Sequence, residues 1–151
     1  MSSQKPAYLN QHTILPLHVR STFRYPPSKE LMPLGTRLFR FITPGQNKPL
    51  GPYWVSANIF RQMESHSRRM GISPSEVSRA WSAVKYQWNI EMSTVIEVVL
   101  KQACYGWIGQ AKYQLKDSQR ISNVLLMGNK TQIFLPNLDN NHVDIISRRT
   151  V

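Results

Sequence analysis

The sequence predicts a single α+β domain. Its elements run strands, then helices, then strands, without the regular alternation that builds a doubly wound parallel sheet. Its 151 residues fit one domain, and a chain of that size buries a core without disulfide or metal staples. Hydrophobic residues make up 41% of it, with four Trp, six Tyr and five Phe, a composition that excludes a disordered chain.

Residues 1–33 read as an irregular lead-in or linker, leaving 34–151 as the domain proper. Pro6, Pro16, Pro26, Pro27 and Pro33 punctuate the lead-in, and proline interrupts helix and ladder alike. Within it, Ile14-Leu15 and Val19 are apolar pieces able to dock on the body. Residues 36–42 read as a strand, with Leu38, Arg40 and Ile42 on one face and Arg37, Phe39 and Phe41 on the other. Gly35 and Thr43-Pro44-Gly45 bracket it. Arg40 therefore shares an apolar face and needs a partner if buried. After a loop over residues 45–52, the aromatic Tyr53-Trp54-Val55-Ser56 reads as extended.

Residues 57–70 read as a helix carrying Arg61, Arg68 and Arg69. Ser73-Pro74-Ser75-Glu76 combines an N-cap serine, a first-turn proline and a capping-box glutamate. Val77, Trp81, Val84 and Trp88 then share one helical face. Residues 94–100, rich in β-branched side chains, read as a strand with Glu97 inside it. Over residues 105–113, Gly106 or Gly109 reads as a turn leading into a short helix. Residues 124–127 and 130–135 read as a hairpin around Gly128-Asn129, ended by Pro136. The polar tail, 137–151, is expected to be partly disordered.

Charge is the loudest global signal. Nineteen Lys+Arg against eight Asp+Glu give +11, and residues 1–63 hold eight basic residues and a single acid, Glu30. Such a field attracts nucleic acid, nucleotide phosphates, acidic lipid heads or an acidic inhibitor protein. The one cysteine, Cys104, excludes an intrachain disulfide and reads as a buried structural thiol. No apolar run is long enough to span a bilayer, and the N-terminus lacks an apolar signal core. Export is therefore expected to use another route or a larger carrier chain.

Metal chemistry finds no frame: His12, His18, His66 and His142 are scattered, without His-x3-His or Cys-x2-Cys spacing. P-loop and Gly-x-Gly-x-x-Gly fingerprints are absent. The candidate general bases are Glu91, Glu97 and Asp117, while Glu64 and Glu76 have helix-surface or capping explanations. Arg61, Arg68, Arg69 and Lys112, interleaved with aromatics, are the candidate nucleic-acid contacts.

Five short stretches, "GTRLFRFI", "GPYWVS", "QWN", "WIGQAKYQ" and "LLMGNKTQIFLP", occur in this order over roughly residues 33–136. Together they resemble the ADP-ribosyltransferase-like toxin domains at the ends of bacterial polymorphic toxins. The resemblance implies a split, twisted antiparallel β core flanked by short helices, with NAD held between two small sheets. It implies that Arg40 grips the nicotinamide-side phosphate or ribose, a bidentate task suited to guanidinium. Ser56 would support Arg40 or the ribose, and Tyr53 or Trp54 would stack near nicotinamide. Gln132 stands where the usual transferases carry a catalytic glutamate, a departure that puts efficient transfer in doubt unless Glu97 supplies the charge. The competing explanations are an Arg40–Glu97 salt bridge, core packing of Trp54, an ordinary edge hydroxyl at Ser56 and an outward strand position for Gln132.

The function so implied is an NAD-dependent ADP-ribosyltransferase toxin that modifies nucleic acid, structured RNA above all, to block growth of a target cell. An NAD glycohydrolase toxin is the second expectation, and a non-catalytic nucleic-acid-binding module the third. NAD is expected as substrate, with no metal, and an acidic immunity or antitoxin protein as partner. The chain is expected to be monomeric, to avoid membranes and to reach the cytoplasm of a target cell within a larger toxin. The enzymatic reading requires Arg40 and Gln132 to converge across a groove wide enough for a dinucleotide.

Overall fold

Runs of β-branched and aromatic residues, broken by proline and glycine, set the architecture. The computed structural model describes residues 7–42, 50–81, 94–112 and 130–150, with the backbone alone of 114–115 and 125–126. Its elements are α1 (Leu17–Arg20), β1 (Ser28–Met32), β2 (Arg37–Ile42), β3 (Tyr53–Ser56), α2 (Ala57–Met70), α3 (Pro74–Trp81), β4 (Thr94–Leu100), β5 (Cys104–Gln110), β6 (Gln114–Leu115), β7 (Leu125–Leu126), β8 (Thr131–Phe134) and β9 (Val143–Thr150).

Seven strands form one curled sheet in the order β1-β5-β8-β3-β2-β4-β9, and every pairing in it is antiparallel. Strands β6 and β7 pair separately. The short β3 is the joint. Its first half, Tyr53 and Trp54, pairs with Phe134 and Ile133 of β8. Its second half, Val55 and Ser56, pairs with Phe39 and Leu38 of β2. The core is thus split into two half-sheets that share only β3, and the α+β expectation holds.

Strand alternation gives the sheet two unlike faces. The inner face carries the main core, in which Leu38, Trp54, Ile96, Val98, Leu100 and Leu135 are each at most 1% exposed. Each such side chain stabilises the fold by about 1.5–3 kcal/mol. The outer face has two covers. Helices α2 and α3 lay Phe60, Met63 and Val77 over Phe39, Phe41 and Val95. On the other half-sheet the N-terminal segment lays Val19 and Phe23 over Trp107 and Phe134.

Four expectations are corrected. The lead-in is part of the fold: β1 pairs along β5, and Leu9 and Phe23 bridge to Cys104 and Ala111. Its prolines delimit elements, Pro16 preceding α1 and Pro27 preceding β1. Buried Asn10 ties it down, donating to the carbonyls of Tyr105 (3.1 Å) and Pro136 (2.8 Å) and accepting from Asn137 Nδ2 (2.9 Å). Residues 104–110 form a strand, not a turn and helix, because Gly106 and Gly109 make room for neighbours. A Cβ there would stand 2.8 Å from Met32 Cε and 2.9 Å from Phe23 Cδ1 respectively.

Among the described residues the expected hairpin pairing is replaced, since β8 pairs with β3 and β5 while β7 pairs with β6. The tail is ordered as β9, which pairs along the whole of β4 and buries Val143. Helix α3 starts where the capping pattern places it, with Ser73 Oγ accepting from the Glu76 N–H at 3.3 Å. Val84, Trp88, Glu91, Tyr113, Asp117 and the Gly128-Asn129 turn lie outside the described residues.

Candidate functional site

Arg40 is an unusual residue for its place in the sheet. Its neighbours in alternation, Leu38 and Ile42, belong to the inner core, and its Cα partner is buried Ile96. The guanidinium therefore lies on the apolar inner face. Burial lowers its pKa from the ordinary arginine value, yet an arginine keeps its charge in any protein environment. Nη1 donates to the Tyr53 carbonyl at 3.0 Å. Nε is buried and has no hydrogen-bond partner among the described residues. No carboxylate among the described residues makes an ion pair with Arg40. The competing explanation, an Arg40–Glu97 pair, is not met: Glu97 pairs with Arg37, because Arg37 and Glu97 both lie on the outer face. Ser147 Oγ adds a 3.4 Å bond to Glu97 Oε1. Glu97 is thus committed elsewhere and supplies no charge at Arg40.

Gln132 lies on the other side of the sheet. It alternates with Ile133 of the inner core and shares the outer face with Phe134. Only 5% exposed, it donates its amide to the Thr22 carbonyl at 3.3 Å. That carbonyl also receives the Lys112 N–H at 2.9 Å, and the Thr22 hydroxyl lies 3.2 Å from Tyr53 Oη. The expected convergence of Arg40 and Gln132 is therefore corrected: one-residue alternation sends them to opposite faces, and the N-terminal segment covers Gln132.

The remaining candidates also find structural places. The Tyr53 ring packs on Phe134 with 5.2 Å between centroids, and burial raises its hydroxyl pKa. Trp54 is 1% exposed, with no ring face to offer a nicotinamide, and donates its indole N–H to the Gly51 carbonyl at 2.8 Å. Ser56 is the N-cap of α2, accepting from the Ile59 N–H at 3.2 Å. Arg61, Arg68 and Arg69 are exposed on α2, and Lys112 is exposed after β5. Arg149 of β9 joins the α2 arginines, 3.8 Å from Glu64 and with its guanidinium 5.5 Å from the Phe60 ring centroid. Buried Cys104 has its thiol pKa pushed up by desolvation, the opposite of an activated nucleophile. Among the described residues no group of three His, Cys, Asp or Glu could hold a metal.

Two residues that sequence reasoning passed over matter here. Thr22 organises the outer-face polar cluster, and nothing in the proline-rich lead-in marks it. Gly51 lies against Arg40: a Cβ at 51 would stand 2.7 Å from Arg40 Nη1 and closer still to Nη2 and Cζ. Its place just ahead of the Tyr53 strand, among glycines and prolines, was the available signal.

No protein-family model matches the chain, and no curated protein matches it in sequence. Solved structures do. A chain in the complex of Tne2 with Tni2 superimposes with a TM-score of 0.53 at 14% identity, covering 83% of this chain and 92% of that one. A chain in the complex of Rhs1-CT with its cognate immunity protein RhsI1 gives 0.58 at 16%, covering 85% and 84%. The chain shares their fold. At such identities side chains do not transfer, so the site rests on this chain's own geometry.

Proposed function

We propose that the chain is the toxic domain of a delivered bacterial protein, that it hydrolyses NAD, and that an acidic immunity protein neutralises it in the producing cell. Its fold is met in a structure that contains a cognate immunity protein. A net charge of +11 suits an acidic antidote. The observation that carries the chemistry is Arg40, a half-buried cation on the apolar inner face held by a carbonyl and a glycine and, among the described residues, by no acid. An anion with two adjacent acceptors, such as the NAD diphosphate, completes such a site.

The reaction then asks little more of the protein. The bond from ribose C1′ to the nicotinamide nitrogen breaks, and its electron pair leaves with nicotinamide, neutralising the ring. Water adds at C1′ and releases a proton, giving ADP-ribose. The diphosphate grip fixes the dinucleotide while the cation-like ribose forms. Gln132, expected to converge with Arg40, faces away and is bonded to Thr22, so the enzymatic reading rests on Arg40 alone. Hydrolysis is favoured over transfer to nucleic acid because the exposed α2 arginines lie on the outer face, away from Arg40.

The test is NAD consumption by the purified chain, with labelled NAD and with or without RNA. Wild type is expected to consume NAD without RNA, and Arg40→Ala to lose about 100-fold or more in kcat/KM, chiefly through KM. Gln132→Ala is expected to keep turnover in whatever fraction stays folded. Label on RNA would establish transfer instead, and a wild-type chain that leaves NAD intact rejects the reading.

A further inference from the structure

Gly51 has no backbone reason to be glycine. The positive-φ glycines among the described residues are Gly35 and Gly71, and Gly51 is not one of them. The space it leaves is the reason. The Arg40 guanidinium fills the volume in which a Cβ at 51 would stand, with Cζ and both Nη atoms inside contact distance. The floor under the guanidinium is itself clamped from two strands. Trp54 of β3 donates its indole N–H to the Gly51 carbonyl at 2.8 Å, and the Leu135 N–H, just past β8, donates to the Pro52 carbonyl at 2.6 Å. Trp54 and Leu135 are among the most deeply buried side chains in the chain. Arg40 is thus pressed between a rigid backbone floor and the Tyr53 carbonyl that receives Nη1.

We infer that Gly51 is the positioning residue for the Arg40 guanidinium: its missing side chain is the seat that aims the cation at a diphosphate-bearing ligand. Any side chain at 51 pushes the guanidinium off this seat, because the floor beneath is fixed by two buried strands and cannot give. The inference rests on the reading of Arg40 as the anion-holding residue. A grip made equally in the ground and transition states appears in KM rather than kcat. Displacing Arg40 should therefore weaken substrate binding more than it slows chemistry.

The experiment is a double-mutant cycle of Gly51→Ala and Arg40→Ala on the full chain, read by NAD kinetics, by inorganic pyrophosphate binding and by thermal melting. Gly51→Ala is expected to raise KM for NAD about tenfold or more with a smaller change in kcat, and to weaken pyrophosphate binding alike. In the Arg40→Ala background the same substitution should have no further effect on binding, since the space is vacant. If Gly51→Ala alone fails to fold, the double variant is expected to fold, which shows the same steric link. An unchanged KM and pyrophosphate affinity in folded Gly51→Ala overturns the inference, as does an effect that persists in full without Arg40. If wild type binds pyrophosphate but leaves NAD intact, the hydrolase reading alone fails and the pyrophosphate cycle still decides on Gly51. If wild type binds neither NAD nor pyrophosphate, both fall.

Discussion

Ser56 shows how a residue can fit a catalytic pattern and have an ordinary task. The resemblance assigned it to the ribose or to Arg40, and the structure gives its oxygen to the first turn of α2. A helix N-cap contributes about 1 kcal/mol, and asparagine caps as well as serine. Ser56→Ala is therefore expected to lower the free energy of unfolding by about 1 kcal/mol, and Ser56→Asn to restore most of it. NAD turnover per folded molecule should be unchanged in Ser56→Asn. Chemical denaturation and steady-state kinetics on the two variants check this, and a stable Ser56→Asn protein without activity would return the hydroxyl to the site. The same scale explains the fate of the two strand arginines. Arg37 and Arg40 stand three residues apart, so alternation sends one to Glu97 and the other inward. That separation was legible in the sequence. Which of the two meets Glu97 was not, because it depends on the register of β2 against β4.

At the scale of elements, the N-terminal segment is the largest revision. Its Val19 and Phe23 cover Trp107 and Phe134, its β1 covers the edge of β5, and its Thr22 takes the polar ends of Tyr53 and Gln132. Removing residues 1–33 would strip one cover from the outer face and leave buried polar groups unpaired, at about 1–3 kcal/mol for each such group. A fragment of residues 34–151 is accordingly expected to lack the cooperative thermal transition of the full chain. Near-ultraviolet circular dichroism and melting test it, and a fragment that melts cooperatively near the full chain's midpoint would make the segment a linker after all.

What the sequence made legible follows the same division. Strands β2, β3 and β4 and the starts of α2 and α3 rest on local alternation and capping, and they stand where expected. The choice of β8's partners, the straight run of β5 through two glycines and the docking of β1 and β9 rest on contacts distant in sequence. Local pattern carries no information about those. The candidate site divides likewise. Arg40 on an apolar face was visible, whereas the glycine beneath it and the commitment of Gln132 to Thr22 arise only when separate elements meet.

The whole molecule carries +11, of which half-buried Arg40 accounts for one charge. Arg61, Arg68 and Arg69 lie exposed on α2, and Arg149 comes alongside from β9. Against these, the described acids on this side include Glu64, which Arg149 approaches, Glu97, which Arg37 takes, Asp144, paired with Lys101, and exposed Glu76 of α3. A face with this balance suits phosphate backbones, and binding there would release counterions with a salt slope of about 0.7 per phosphate contact on a single strand. Replacing Arg61, Arg68 and Arg69 together by glutamine lowers the net charge from +11 to +8 by removing three positive charges. The slope of log affinity against log salt for a short single-stranded RNA is then expected to shrink by about 2. NAD turnover should stay at the wild-type level, because Arg40 lies on the inner face, away from α2. Fluorescence anisotropy across a salt series measures the first quantity and nicotinamide release the second. An unchanged slope would move the polyanion contact to the Lys112 side of the sheet. A parallel fall in NAD turnover, with melting unaltered, would mean that the α2 arginines and Arg40 serve one ligand rather than two.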